Sequence, residues 1–199
     1  MQRVLPSSAM LGSPVTIDQW AGLDEDDSRE LVDGRLEEAE VPSVVHEVIV
    51  MWLLMRLEPY FRARRGRALA SGIKLAIGSR RGRLADIVCF GPDAKLPRRG
   101  VVRAAPEVVI EVLSPDPQDQ KRDRIAKPGD YAELGARSYW MVDPWLRTVE
   151  ILELGADGRY VRAFAETGGT LTQVPGLPDL ALDLDAMWAE VDELPAEQD

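Results

Sequence analysis

The chain has 199 residues, of which 45% are hydrophobic and 29% charged, and its formal net charge at pH 7 is −10. This size and composition are typical of one globular domain with a sizeable core. The single cysteine, Cys89, excludes an internal disulfide framework and a cysteine-rich zinc site. We expect a loose N-terminal tail over residues 1–15, one domain over 16–190 and an acidic tail over 191–199.

The sequence carries no signal for export or membrane insertion. Residues 1–15 lack the continuous apolar segment of a signal peptide. The longest apolar run, residues 48–55, is too short to cross a bilayer. We therefore expect a cytoplasmic protein without a membrane partner.

The charge is unevenly distributed along the chain. Residues 41–150 carry 19 Lys/Arg and 13 Asp/Glu, whereas the remaining segments carry 5 and 21. Arginine clusters, such as Arg80, Arg81 and Arg83, account for much of the basic middle. A basic middle between acidic ends favours phosphate binding by one face, and solvated loop charge explains it almost as well.

Hydrophobic patterning and capping signals predict the elements in chain order. The first half is predicted to contain a short helix over 17–23, a hairpin turning at Asp33-Gly34, a core helix over 44–62 and strands over 66–78 and 83–91. The second half is predicted to contain a strand around Glu111, a helix over 118–134, strands over 138–143, 148–154 and 159–165, and a short helix after 185. This order predicts a mixed α/β fold with one central sheet and helices on its faces.

Two of the predicted strands each carry one carboxylate among apolar residues. Glu111 lies in a valine- and isoleucine-rich run that is typical of a strand covered on both faces, and Asp86 lies in a similar run. A buried carboxylate is costly unless it is paired, protonated or bound to a cation. Two such strands side by side could form a hard-cation site, and the alternative is an acid satisfied by an arginine or a backbone donor.

Two helical segments supply further candidate residues. His46, the only histidine, falls in the first turn of the predicted core helix. Asp123, Lys127 and Tyr131 are spaced four residues apart and share a helix face, and Pro128 predicts that this helix is kinked or starts late. The alternatives are a surface or cap-region histidine and a surface Asp123–Lys127 ion pair of little energetic value.

Taken in order, these residues resemble successive motifs of the Uma family of putative restriction endonucleases, within the PD-(D/E)XK nuclease-like superfamily. The matching motifs are residues 30–34, 85–88, 106–115 and 139–144, together with Asp123, Lys127, Tyr131 and Gly135. The resemblance implies a restriction-endonuclease-like αβββαβ core with an extra N-terminal hairpin and extra C-terminal strands. It also implies a phosphodiesterase site that acts on DNA with Mg²⁺, for which Mn²⁺ can substitute.

The same resemblance assigns the site residues. Asp86 and Glu111 match the metal ligands of the superfamily, but Leu113 occupies the position of its catalytic lysine. The resemblance implies that this lysine has moved to the following helix, where Lys127 matches, and it does not mark Lys74, the less favoured substitute. Ala85 replaces the proline of the motif, which we expect to be harmless.

Glu30, His46 and Asp123 also match family positions, and we expect supporting roles for them. The function predicted first is a metal-dependent DNA endonuclease, and we expect a homodimer. An alternative is a nuclease-fold protein that binds nucleic acid or a protein partner without cutting. A weaker alternative is a metal-free enzyme whose two carboxyl groups act as acid and base, as in glycosidases.

Overall fold

A computed structural model of the chain describes residues 14–24, 27–38 and 41–195. Almost all of the predicted tail 1–15, and the last four residues of the predicted tail 191–199, lie outside this range. The first half contains α1 (Ile17–Ala21), β1 (Glu30–Val32), β2 (Arg35–Glu37), α2 (Val44–Ala63), β3 (Arg67–Gly78) and β4 (Arg81–Phe90). The second half contains β5 (Val108–Val112), α3 (Pro117–Lys121), a π-helical turn (Arg122–Ala126), α4 (Lys127–Leu134), β6 (Ser138–Asp143), β7 (Thr148–Leu154), β8 (Tyr160–Glu166), β9 (Thr170–Leu171), β10 (Leu182–Asp183) and α5 (Leu184–Asp192).

A mixed central sheet organises the molecule, as the sequence predicts. Its strand order is β2-β1-β4-β5-β6-β7-β8, and β3 pairs with β4 off this path. Only the β5–β6 pair is parallel among the described strand pairs of this sheet. A parallel pair needs a crossover, which the α3–π–α4 segment provides.

On the edge of β4 that faces away from β3, two strands pair with β4 one after the other, with a gap between them. β1 pairs with β4 at Gly82, and β5 pairs with it from Ile87 onward. Asp86 therefore lies where β4 passes from one neighbour to the next. On the other edge, the β3 register shifts between Ala70 and Ile73, directly opposite Asp86. Bulges of this kind often occur beside active sites, where they redirect a side chain.

Alternation along β5 separates two apolar layers. Val108, Ile110 and Val112 pack into one cluster with helix α2, whereas Val109 and Leu113 pack into a second cluster with Tyr131 of α4. Because side chains of a strand point alternately to its two faces, Glu111 shares the α4 face with Val109 and Leu113. Within the described residues, no helix is long and apolar enough to span a bilayer.

The predicted helix 118–134 is a composite of α3, a π-helical turn and α4. The N–H of Lys127 donates to the carbonyl of Arg122, five residues earlier. Pro128 has no N–H to donate, which accounts for the irregular hydrogen bonding just before it. Gly135 ends α4 with a positive φ of 83°, the conformation expected of a glycine C-cap. Pro128 thus interrupts the regular α-helical hydrogen bonding of the crossover, and Lys127 and Tyr131 both reach Glu111 of β5 from it.

Candidate functional site

A cleft of about 600 Å³ opens at the gap on the β4 edge. Its walls come from the N-terminal turn of α2, the middle of β4, the end of β5, the α3–α4 crossover and the turn between β6 and β7. The structure brings all six predicted site residues to this one cleft, which is lined by Glu30, His46, Asp86, Glu111, Asp123 and Lys127. Residues far apart in the chain therefore meet here.

Asp86 is held from two elements. Its Oδ2 accepts a hydrogen bond from the Val112 N–H at 2.7 Å and lies 3.1 Å from Nε2 of His46. Its side chain is 24% exposed, so it reaches the cleft. Burial favours the neutral acid, but the hydrogen bond and charge of His46 outweigh this and lower the pKa of Asp86. Asp86 is therefore an ionised carboxylate at neutral pH.

His46 is fixed by the cap of helix α2. The side chain of Ser43 accepts from the His46 N–H, which sets the first helical turn. The imidazole is 18% exposed and lies between Asp86 and Glu47, with Nδ1 3.2 Å from the Glu47 carboxylate. Burial lowers the pKa of His46, but the bond to Asp86 outweighs it, so the pKa is raised. The interpretation as a free surface histidine is wrong.

Glu111 lies at the centre of a buried polar cluster. Its Oε2 is 2.9 Å from Nζ of Lys127, and its Oε1 accepts a short hydrogen bond from the Tyr131 hydroxyl. Nζ of Lys127 also lies 2.8 Å from Oδ1 of Asp123, and all four side chains are buried. Tyr139 steadies the crossover, because its hydroxyl donates to the Asp123 carbonyl at 2.8 Å. The interpretation of Asp123–Lys127 as a surface ion pair is therefore wrong.

The ionisation of this cluster depends on Lys127. Complete burial raises the pKa of Glu111 well above its ordinary range, and the Lys127 charge opposes that rise. Burial of Lys127 favours the neutral amine, but the charges of Glu111, Glu30 and Asp123 outweigh it and raise the pKa of Lys127. The ammonium is thus retained inside the protein, where it serves as the counter-charge of several carboxylates.

Glu30 reaches the cleft wall but is engaged in an internal ion-pair network. Its Oε2 lies 2.7 Å from Arg83, and its Oε1 accepts from the Leu84 N–H at 3.0 Å. Arg83 also pairs with Asp130 at 2.7 Å, and these charged side chains are buried. Glu30 therefore ties β1 to β4 next to Asp86.

Replacing Glu30 by glutamine is expected to reduce the loss of stability in acid. Burial raises the pKa of Glu30, but the charges of Lys127 and Arg83 outweigh this and lower it below the ordinary value of 4.5. Between the pKa of Glu30 in the folded protein and the value of 4.5, the unfolded chain therefore binds more protons than the folded one. The stabilisation by ionised Glu30 is full above pH 4.5 and is lost as pH falls through the pKa of the folded protein. Urea unfolding across this range should show the stability gap between wild type and Glu30→Gln closing in acid. A gap that widens there would contradict the ionised pair.

Replacing Tyr131 by phenylalanine is expected to lower the free energy of unfolding by about 1–3 kcal/mol, because a buried oxygen of Glu111 loses its donor. On the expectation that Glu111 is a metal ligand, we also expect Mn²⁺ binding to be about 10- to 100-fold weaker, the usual effect of removing a partner of such a ligand. Tyr160→Phe is the control, since that hydroxyl donates to the Ala136 carbonyl at 2.7 Å, outside the cleft. Calorimetric titration should show weakened binding in Tyr131→Phe alone, and equal binding in both variants would remove this role.

The donor types in the cleft fit a hard divalent cation. Asp86 and Glu111 offer carboxylate oxygens. Of the two oxygens of Asp86, Oδ2 is the one that accepts hydrogen bonds from the described residues. In the part of the chain that the structure describes, no group of three or more acidic, histidine or cysteine side chains could hold a metal ion. Mg²⁺ is commonly held by one or two carboxylates, with water and substrate phosphates completing its shell. The pair Asp86 and Glu111 is compatible with this mode of Mg²⁺ binding.

Three further residues of the site were not identified as such from the sequence. Tyr131 shares a helix face with Lys127, a signal that pointed to its position but not to its bond with Glu111. Arg83 belongs to a sequence cluster interpreted as basic surface, yet it is buried in ion pairs. Arg122 lines the cleft from the π-helical turn, and no sequence signal separated it from the neighbouring basic residues.

Comparison with known proteins gives one family match and a structural relative. Residues 15–185 match the Uma2 family, whose description is "Putative restriction endonuclease". No curated protein matches the chain. A crystal structure described as a putative nuclease belonging to DUF820, from Anabaena variabilis, is similar with a TM-score of 0.71 and 20% sequence identity. The similarity covers 89% of this chain and 99% of that chain, and it shows the shared fold.

Proposed function

The chain belongs to the Uma2 family of putative restriction endonucleases, and we propose that it is a Mg²⁺-dependent endonuclease that hydrolyses phosphodiester bonds of DNA. Mn²⁺ would serve as a substitute cation. The main support for the proposal is that Asp86, Glu111 and Lys127 line one cleft although they belong to three different elements. Family membership supports the nuclease class, and the cleft chemistry supports the metal and the residues.

Asp86 and Glu111 would hold the cation. His46 and the Val112 N–H both engage Oδ2 of Asp86, which fixes the carboxylate and leaves its other oxygen for a ligand. Tyr131 and Lys127 each engage one oxygen of Glu111 and so fix the orientation of its carboxylate. When bound, the cation would polarise the phosphoryl oxygen and lower the pKa of an attacking water.

Lys127 takes the place of the lysine that the superfamily carries on the strand. Leu113 occupies that strand position and is buried in the apolar layer below α4. Lys127 reaches the same carboxylate from the helix, with 2.9 Å between Nζ and Oε2 of Glu111. A buried ammonium beside the carboxylates can stabilise negative charge on the phosphoryl group, because the low dielectric of the interior strengthens its field.

One observation favours the second candidate, a protein that binds DNA without cutting it. Both oxygens of Glu111 already have partners within the protein, Lys127 and Tyr131. A cation must therefore share Glu111 with them or displace one of them. In a protein that binds without cutting, Lys127 alone would neutralise the cluster.

Incubation of DNA with purified protein separates the two candidates. We expect cleavage with Mg²⁺ or Mn²⁺ and complete loss of cleavage when EDTA removes the cation. Supercoiled plasmid and a labelled oligonucleotide should both be tested, since they report nicking and strand cutting separately. Binding without cleavage in every metal would select the non-cutting candidate, and cleavage that persists in EDTA would exclude the metal-dependent mechanism.

A further inference from the structure

Trp145 differs from every other tryptophan of the chain in being exposed. It is 66% exposed, whereas the others are buried: Trp20, Trp52, Trp140 and Trp188. A single exposed apolar residue needs no explanation by itself. What distinguishes Trp145 is how firmly its backbone is held and where its side chain lies.

The turn that carries Trp145 is anchored at both ends. The N–H groups of Trp145 and Leu146 each donate to Oδ1 of Asp143 at 3.0 Å, and Asp143 is itself buried and paired with Arg124. Two residues on, Arg147 forms an ion pair with Asp192 of α5. The indole is therefore presented from a fixed turn, which lowers the entropy lost when a ligand binds to it.

Trp145 lines the same cleft as Asp86, Glu111 and Lys127. Arg122 lines it too, and its Nε is buried without a hydrogen-bond partner among the described residues. Nη2 of the same guanidinium is paired with Asp119 at 2.7 Å, whereas Oδ1 of Asp123 is 3.6 Å from Nε, beyond hydrogen-bond distance. The cleft thus combines an aromatic plane with a guanidinium whose Nε–H can donate to a phosphate oxygen.

An exposed indole in the same cleft as a guanidinium donor is suited to a nucleobase. Every base has an aromatic face, and stacking on tryptophan is a recurrent way of holding unpaired nucleotides. In a duplex the faces of the bases are covered by their neighbours and cannot reach such a plane unless a base leaves the stack. A cleft of about 600 Å³ is also of the size that encloses single small ligands.

We infer that the cleft binds an unpaired DNA strand, with the base next to the reacting phosphate stacked on Trp145. The inference rests on the proposed function, because the phosphate in question is the one that Asp86 and Glu111 act on. Trp145 is thus a residue that sets substrate preference, and the preferred substrate is single-stranded DNA or a frayed end.

Binding measured in EDTA tests this inference without any cleavage. The probes are a labelled oligothymidylate and a duplex of the same length, followed by fluorescence anisotropy. Wild type should bind the single strand more tightly than the duplex. Trp145→Ala should weaken single-strand binding by about 5- to 150-fold, the range expected for loss of one stacked base. Trp145→Phe should retain most of the affinity, because phenylalanine keeps an aromatic face.

Leu146→Ala is the matched control, because Leu146 is equally exposed at 66%, belongs to the same turn and is absent from the cleft wall. It should bind the strand as wild type does. The strand should also quench the tryptophan emission of wild type and not that of Trp145→Phe, since the remaining tryptophans are buried. Tighter binding of the duplex, or unchanged binding by Trp145→Ala, would overturn the inference.

The two proposals fail in different experiments. If no cation supported DNA cleavage, the proposed function would be wrong while the strand preference measured in EDTA stood. If Trp145→Ala bound the strand normally but Asp86→Asn lost cleavage, only the stacking role would be wrong.

Discussion

Replacing Asp86 by asparagine is expected to lower metal-dependent DNA cleavage by about 10³-fold or more. A metal held as a Lewis acid supplies several kcal/mol of transition-state stabilisation, and each ~1.4 kcal/mol is tenfold in rate. Asparagine keeps an oxygen that can accept from the Val112 N–H but removes the charge that a cation and His46 need. The loss of charge-assisted hydrogen bonding should cost at most about 2–3 kcal/mol of stability.

The matched control is Asp93→Asn, the same change at an exposed aspartate just past the end of β4. It should leave cleavage and the free energy of unfolding near wild type, because surface substitutions usually change stability by less than about 0.5 kcal/mol. Glu111→Gln is expected to abolish cleavage as well. Cleavage by a folded Asp86→Asn protein at the wild-type rate would remove Asp86 from the site.

Replacing Lys127 by methionine is expected to abolish cleavage and to lower the free energy of unfolding by about 3–5 kcal/mol, as breaking a buried ion pair does. Methionine has a similar volume, so the loss is one of charge and not of packing. Glu111 and Asp123 would be left buried with no ammonium within 3 Å, where Lys127 now lies 2.9 and 2.8 Å from them. Urea unfolding measures the stability, and the cleavage assay measures the function.

Lys121→Met is the control for this change, because Lys121 is exposed in α3 of the same crossover. It should unfold as wild type does. The double variant Glu111→Gln/Lys127→Met should be more stable than Lys127→Met alone, since removing both charges avoids the uncompensated carboxylate. A Lys127→Met protein that is as stable and as active as wild type would contradict the account of the buried cluster.

The order of elements and the residues of the cleft were accessible from the sequence for a physical reason. A carboxylate within an apolar strand is conspicuous because its burial is costly, and Asp86 and Glu111 both carry that signal. Lys127 follows from helical spacing and from the family resemblance. These signals are local or recur in a pattern, so a single sequence is enough to show them.

The partners of those residues could not be found in the same way. The pairing of Glu30 with Arg83, 53 positions apart, depends on β1 and β5 sharing one edge of β4. The bond between Tyr131 and Glu111 depends on the π-helical turn that sets the rotation of α4. Such contacts arise from tertiary packing, which overrides the local signals that periodicity and composition supply.

The sequence likewise did not show which arginines of the clusters are paired with carboxylates in the fold. From the sequence they were compatible with a phosphate-binding face, but Arg83 is buried with Glu30 and Asp130, and Arg124 is paired with Asp143 and Glu150. These two arginines of the basic middle are therefore already engaged by carboxylates of the protein. Other members of the clusters, such as Arg98, lie exposed at the surface.

Calorimetric titration of Mn²⁺ into wild type and into Asp86→Asn/Glu111→Gln tests whether these two carboxylates form a metal site. Each titration is run alone and with a short DNA strand, whose phosphates can complete the metal shell, and a gel run afterwards shows whether the strand is intact. We expect wild type to bind Mn²⁺ with the strand, without it, or in both cases, and the variant to bind Mn²⁺ in neither. Equal binding by both proteins, or no binding by wild type even with the strand present, would contradict a metal site built on Asp86 and Glu111.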